Sequence, residues 1–253
     1  MPDQPLPRVS NQDRGGPLET LLEPLGSLFF PAHCGGCGHA VPQHAMLCRA
    51  CESGIERIRP PRCEVCSQPF DGRTPVFTCP NCQGEEFAFE CAVAVVRSRG
   101  VVREMIHRLK YQREMWLARN LASWMHEGLA DPRLAGWRAD ALVPVPLHPR
   151  RLREREFNQS QILAEALSRL CKIPVVSPLE RRRYTETQTE LDRKHRRQNL
   201  RDAFVLGKNA NVTDRTLLLV DDVLTTGSTL DACALVLRAS GARSVRALTA
   251  ARG

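Results

Sequence analysis

Between Leu217 and Leu230 the chain reads Leu-Leu-Leu-Val-Asp-Asp-Val-Leu-Thr-Thr-Gly-Ser-Thr-Leu, setting two adjacent acids and four hydroxyls behind an apolar run. An apolar run that reads as a buried strand ends in Asp221 and Asp222. Val223 and Leu224 then lead into Thr225, Thr226, Gly227, Ser228 and Thr229, a small hydroxyl-rich turn at the mouth of a helix. A parallel strand delivers such a pair of acids to the carboxyl edge of an open α/β sheet, where ligands of these folds bind. The helix start offers unpaired backbone N–H groups and the positive end of the dipole, so a phosphate gains hydrogen bonds and a favourable field there. Each interaction of this kind is worth about 0.3–1 kcal/mol when exposed and up to about 2 when partly buried. Gly227 lets the backbone approach closely. The carboxylates repel a phosphate unless they face something else, and sugar hydroxyls or a hydrated Mg2+ suit them best.

The cysteines carry a second chemistry. Eight of the 11 fall in four C-x2-C pairs within 49 residues: Cys34 and Cys37, Cys48 and Cys51, Cys63 and Cys66, Cys79 and Cys82. Without a secretion signal, reducing conditions keep thiols free, and knuckles at this spacing read as metal ligands, with zinc the natural ion. The simplest pairing is sequential, the first four cysteines holding one ion and the next four another, although a crossed pairing satisfies the spacing too. Closed four-thiolate sites leave no open position for substrate, so the role is structural. A stretch this poor in apolar bulk needs the metal's binding energy to fold. His33, His39 and His44 are read as bystanders because the sulfur count is complete. Cys91, Cys171 and Cys233 lie in apolar contexts and are read as small buried hydrophobes.

The acidic strand end and hydroxyl turn resemble the loop that binds 5-phosphoribosyl-1-pyrophosphate (PRPP) in type I phosphoribosyltransferases. That resemblance implies that Asp221 and Asp222, as the catalytic pair, face the ribose hydroxyls while Thr225 to Thr229 hold the 5′-phosphate, with Mg2+ accompanying PRPP. Two further segments narrow the family. Pro144-Val-Pro-Leu-His148 leads to Arg150, Arg151, Arg153 and Arg155, then to Phe157-Asn-Gln159; later come Thr187, Gln188, Leu191, Arg196, Arg197, Asn199 and Phe204. With four C-x2-C pairs in front, the chain resembles the ComF family of phosphoribosyltransferase-like proteins linked to natural competence. The resemblance implies a double zinc ribbon before the phosphoribosyltransferase domain, and a role in uptake of transforming DNA. It also implies a pyrophosphate-contacting loop assisted by Arg151 or Arg155, with a solvated helix lead-in over Arg150 to Arg155 the competing use. Residues 181–199 read as a flap from which Lys194, Arg196 and Arg197 reach the ligand, or as a solvent-exposed loop. The alternative activity is nucleobase salvage, and catalysis itself stays open. Trp116, Trp124, Trp137 and Phe157 are candidates for stacking on a base, with core packing the competing use.

These residues need a scaffold, and the pattern after Glu90 supplies one. Cys91–Val96, Ala141–Val145, Ile173–Val176, Leu217–Val223 and Val245–Thr249 read as strands. Helical periodicity runs from Val101 to Leu129. Asn158 caps a helix to about Leu170 with Leu170 on its apolar face, and Ser228–Ala239 is a helix stopped by Gly241. The fold class expected is α/β, a type I phosphoribosyltransferase-like, mostly parallel sheet with helices on both faces, preceded by a small zinc-ribbon domain. The division expected is a flexible extension over 1–27, a double zinc ribbon over 28–90 and the phosphoribosyltransferase-like domain over 91–253.

Composition bounds the partners. Residues 1–90 carry 7 Arg and 11 acidic side chains, a net of −4, whereas residues 91–253 carry 29 basic and 17 acidic, a net of +12. The positive field favours anionic partners: PRPP or another ribose phosphate, and single-stranded DNA. Competence proteins are the protein partners the family suggests. At 42% apolar and 25% charged, with no uninterrupted apolar run of membrane-spanning length, the chain is expected to be globular, cytoplasmic and without a membrane span.

Overall fold

The computed structural model describes residues 32–42, 45–72, 78–183, 200 and 202–253. The extension over 1–27, His44 and the flap residues Thr187, Gln188, Leu191, Lys194, Arg196, Arg197 and Asn199 lie outside the described residues.

The N-terminal part holds two short antiparallel strands, β1 (Ala32–His33) and β2 (Ala40–Val41), and the helix α1 (Arg49–Ser53). The alternating region then begins: β3 (Ala92–Arg97), α2 (Gly100–Tyr111), α3 (Leu117–Gly128), β4 (Ala141–Pro144), α4 (Pro149–Arg155) and α5 (Gln159–Cys171). A small antiparallel pair follows, β5 (Leu179–Arg181) with β6 (Phe204–Leu206). The chain closes with β7 (Thr216–Leu224), α6 (Ser228–Ala239) and β8 (Ser244–Arg252).

The principal sheet has four strands in the order β3-β8-β7-β4, all parallel. The apolar run of β7 makes it a central strand. Leu217 and Leu219 face a cluster containing Cys233, Ala234 and Leu237 of α6, while Leu218 and Val220 face a second cluster built from α2, α3 and α5. Burial on both sides is what a continuous Val/Leu run encodes, and it puts helices on both faces.

The edge strand β3 is covered by the cysteine-rich segment. Ile58 N–H donates to Val95 O at 2.8 Å and Arg97 N–H to Glu56 O at 2.8 Å. Ala92 N–H donates to Val65 O at 2.7 Å, and the Ser67 hydroxyl bridges Ala92 O and Ala94 N–H at 2.9 and 3.0 Å. An open parallel edge is a template for unwanted pairing, and these contacts close it.

Three local expectations are corrected. The periodicity from Val101 to Leu129 is two helices, not one: Tyr111 to Arg113 are exposed, Arg113 adopts φ +58°, and the polar run gives no apolar face to bury. Ile173–Val176 is not a full strand. It makes a single parallel bridge, Val175 to Leu142, and Pro174 and Pro178 remove the N–H groups a longer ladder requires. Leu170 is 48% exposed and lies off the buried stripe of α5.

Candidate functional site

The eight knuckle cysteines form two clusters, Cys34/Cys37/Cys48/Cys51 and Cys63/Cys66/Cys79/Cys82, with the ligand atoms of each within 4.8 Å of one another. The sequential pairing is therefore the one adopted. The Sγ···Sγ distances of 3.6 Å (Cys37–Cys48), 3.8 Å (Cys63–Cys82) and 3.6 Å (Cys66–Cys79) match the edge of a tetrahedron whose metal–sulfur bonds are about 2.3 Å, the zinc value. The donor set thus fits structural zinc at both places.

Backbone amides support the sulfurs. Cys48 N–H donates to Cys34 Sγ at 3.1 Å, and Cys51 N–H to Cys48 Sγ at 3.5 Å, which also caps α1. Burial works against ionisation of Cys34, but amides of Cys37, Cys48 and Gly36 outweigh it and bring the thiol down to about 6. Hydrogen bonding with Cys66, then burial, pushes Cys63 up to about 12; burial pushes Cys82 up to about 12. Without a cation to share, four sulfurs cannot all be thiolates, so metal binding must release protons. His39 is nearer than a bystander: its Nδ1 lies 3.2 Å from Cys37 Sγ. Cys91 and Cys233 are buried as expected, and Cys171 is half-buried.

The second site lies at the carboxyl edge of β7. Asp221 Oδ1 accepts from the Ser160 hydroxyl at 2.7 Å and from Asp222 N–H at 2.9 Å. Asp222 is buried, and its Oδ2 is ion-paired with Lys110 Nζ from the last turn of α2. Burial, then the charge of Asp222, pushes the Asp221 carboxyl up to about 7. Burial also opposes ionisation of Asp222, but Lys110 overcomes it and holds that carboxyl below the usual range. The two carboxyls are thus pushed in opposite directions, Asp221 toward the protonated form and Asp222 toward the ionised one.

Leu224 is buried and Val223 half-buried, anchoring the strand end. Beyond them Thr225 is exposed, Thr226 and Thr229 are half-buried, and the Thr226 and Ser228 hydroxyls hydrogen-bond at 2.9 Å. Gly227 caps α6 with φ +85°, a left-handed conformation that favours glycine. Among the described residues, the N–H groups of Thr225, Thr226 and Gly227 have no backbone acceptor. Twelve-residue α6 therefore presents the donor-rich N-terminus that the sequence implies.

The arginine segment is placed differently from the loop expected. Residues 149–155 are helical, with Pro149 in the first turn and His148 Nδ1 accepting from Arg150 N–H at 3.1 Å. Arg155 donates to Gln159 Oε1 at 3.0 Å and to Tyr111 Oη at 3.2 Å, one residue from the Ser160 that holds Asp221. Arg151 is half-buried on α4. Asn158 caps α5 on Ser160 N–H at 3.1 Å and donates to Val145 O at 3.0 Å, locking the Pro-Val-Pro strand end to the helix that carries Ser160. Trp124 is core, Trp137 and Phe157 are half-buried, and Trp116 is 43% exposed.

Lys110, Ser160, Asn81 and Arg252 also hold the site, and no local motif in the sequence marks them. Asn81 donates to Thr226 O at 3.3 Å, and buried Arg252 donates to Leu224 O at 3.0 Å. The signal available for Lys110 was its type, as one of only 4 Lys in a chain of 36 basic residues.

Residues 25–84 match the double zinc ribbon domain family and residues 158–253 the phosphoribosyl transferase domain family. The chain is 32% identical over 224 residues to competence protein F of Haemophilus influenzae, covering 87% of this chain and 95% of that protein. It is 33% identical over 206 residues to DNA utilization protein YhgH of Escherichia coli strain K12, covering 80% and 88%. Competence protein ComFC of Bacillus subtilis is 26% identical over 217 residues, covering 81% and 84%.

Proposed function

Since the chain belongs to the ComF family, a double zinc ribbon joined to a phosphoribosyltransferase domain, we propose that it binds Mg-PRPP at the carboxyl edge of β7 and serves DNA uptake in competence. The observation that carries the reading is the adjacent Asp221–Asp222 pair, held by Ser160 and Lys110, beside a helix N-terminus where, among the described residues, the Thr225, Thr226 and Gly227 N–H groups have no backbone acceptor. Thr225, Thr226, Gly227, Ser228 and Thr229 take the 5′-phosphate, Val223 and Leu224 fix the turn, and Asp221 and Asp222 face the ribose. Arg151 and Arg155 stand on the pyrophosphate side, beyond β4. In this reading the zinc ribbon spans residues 28–90 and the transferase-like domain 91–253, and the protein works in the cytoplasm, where reducing conditions suit thiolate metal sites. Named competence relatives suggest competence proteins as partners.

Mg2+ arriving with the ligand supplies charge neutralisation, and the oxygen donors of Asp221, Ser160 and Thr225 are the kind it takes. The residues then orient the sugar: Ser160 fixes one Asp221 oxygen, and Lys110 keeps Asp222 ionised. Transfer to an acceptor nitrogen, with pyrophosphate leaving, is the reaction class the site suits, and nucleobase salvage is the alternative use. Thermal shift with Mg-PRPP tests the reading: a saturable rise in Tm is expected. Because a cation takes the ionised carboxylate, affinity for Mg-PRPP should rise by at most about tenfold per pH unit below about 7 and level off above it. No shift at any pH contradicts it.

A second reading, contact with single-stranded DNA, is favoured by one surface observation. Tyr111 is 62% exposed and Trp116 43%, with the Arg155 and Arg108 guanidinium groups 4.9 and 5.9 Å from their ring centroids. Exposed rings beside guanidinium groups are how proteins hold unpaired bases. Tyr111→Ala/Trp116→Ala should weaken oligonucleotide anisotropy binding about tenfold or more at fixed salt; unchanged binding contradicts this surface.

A further inference from the structure

Asn81 sits inside the Cys79–Cys82 knuckle, is 6% exposed, and gives its side-chain N–H to the Thr226 carbonyl at 3.3 Å. A peptide unit is planar and trans, so the Thr226 C=O and the Gly227 N–H point in opposite directions. Holding the carbonyl on the knuckle side turns the Gly227 N–H away from the knuckle, and among the described residues it meets no backbone acceptor. Gly227 itself does not decide this orientation, because glycine accepts conformations on both sides of φ = 0. Flipping the peptide would exchange a donor for a carbonyl oxygen and turn an attractive position for an anion into a repulsive one.

The segment leaving the knuckle reinforces the contact. Phe87 and Phe89 are stacked with centroids 4.7 Å apart, and a Cβ on Gly227 would lie 3.3 Å from the first and 3.5 Å from the second. Ala88 N–H donates to Asp231 Oδ1 at 2.7 Å in the first turn of α6. The second knuckle and the segment leaving it thus reach the phosphate loop at 226, against 227 and at 231, and among the described residues Asn81 is the side chain that grips the peptide whose orientation sets a donor.

We propose that Asn81 is a positioning residue of the phosphate loop: the knuckle of the second metal site latches the Thr226–Gly227 peptide in the orientation that presents Gly227 N–H to an anion. This rests on the ribose-phosphate reading of that loop. It makes the second cluster part of ligand binding without contact between metal and ligand.

Asn81→Ala and Asn81→Gln keep all eight ligand cysteines. Hydrogen exchange across residues 224–232 in the ligand-free chain, zinc content, and calorimetric titration with Mg-PRPP form the test. Asn81→Ala should retain its zinc, exchange faster in that segment but not in β8, and bind PRPP about two- to tenfold more weakly, the range one net hydrogen bond supplies. Asn81→Gln should recover most of both effects, because its longer amide has room in the adjoining cavity of about 350 Å3 lined by Gln68, Pro80, Thr225 and Arg252. Unchanged exchange and affinity in Asn81→Ala would overturn the proposal. So would equal losses in both variants accompanied by zinc release, which would confine Asn81 to the metal site. A wild-type chain that ignores PRPP would sink the proposed function, whereas the ligand-free exchange comparison would still decide whether Asn81 holds the loop.

Discussion

A lysine reaching a buried carboxylate sets the electrostatics of the carboxyl edge. Lys110 Nζ pairs with Asp222 Oδ2, with side-chain exposures of 20% and 5%. Such a pair adds little over apolar packing of the same volume, but removing one partner leaves the other charge stranded. Because Asp222 is held below its ordinary value, its contribution to stability is present above about pH 4 and fades as pH falls through the folded value. Lys110→Met should therefore cost about 3–5 kcal/mol at neutral pH, and the loss should shrink on acidification as the stranded carboxyl protonates. Urea unfolding at several pH values checks both signs; a loss independent of pH would show that Lys110 acts through packing alone. The acids and the hydroxyl turn were legible because they are adjacent in sequence. Lys110 was not, since its partner lies more than 100 residues away and no local pattern announces the meeting.

At the scale of elements, position comes from how strands end and helices begin. Asn158 does two jobs at once, capping α5 through Ser160 N–H and holding Val145 O at the end of β4. Its alanine variant should lose about 0.5–2 kcal/mol for the cap and about 0.5–1.5 for the second bond, measured by denaturant midpoint. A variant of wild-type stability would contradict this account of the α5 start. The cap could be read from sequence because Asn precedes a clear apolar stripe, and the same holds for Gly227 and the run of β7. The break between α2 and α3 could not, since Leu109 and Leu117 stay in helical phase across a polar stretch. Likewise, the arginines after His148 read as a loop at the sheet edge, with a helix lead-in as the competing use, and Pro149 in a first turn decides for the helix.

At the scale of the whole molecule, the cysteine-rich part is a wall of the sheet rather than an appendage. Its knuckles cover the β3 edge, Arg133 from the α3–β4 connection binds Cys63 O and Glu64 O at 3.2 and 3.1 Å, and Arg108 of α2 holds Gly35 O at 2.9 Å. The C-x2-C spacing declared the metal chemistry, but not where the ribbon docks, because docking is encoded in single polar contacts scattered along the chain. Two zinc ions per chain are expected by elemental analysis. Structural zinc supplies about 10–16 kcal/mol in small domains, comparable with a domain's entire stability, so chelation should lower Tm and expose the β3 edge to association. A metal-free chain with unchanged Tm and a monomeric elution profile would contradict that role.

The central claim is a working ribose-phosphate site at the end of β7, and calorimetric titration of the zinc-loaded protein with Mg-PRPP addresses it most directly. Saturable binding by the wild-type chain, lost in the folded Asp221→Asn/Asp222→Asn variant, is the predicted result. No heat of binding from well-folded wild-type protein, or equal binding by the double variant, would contradict it.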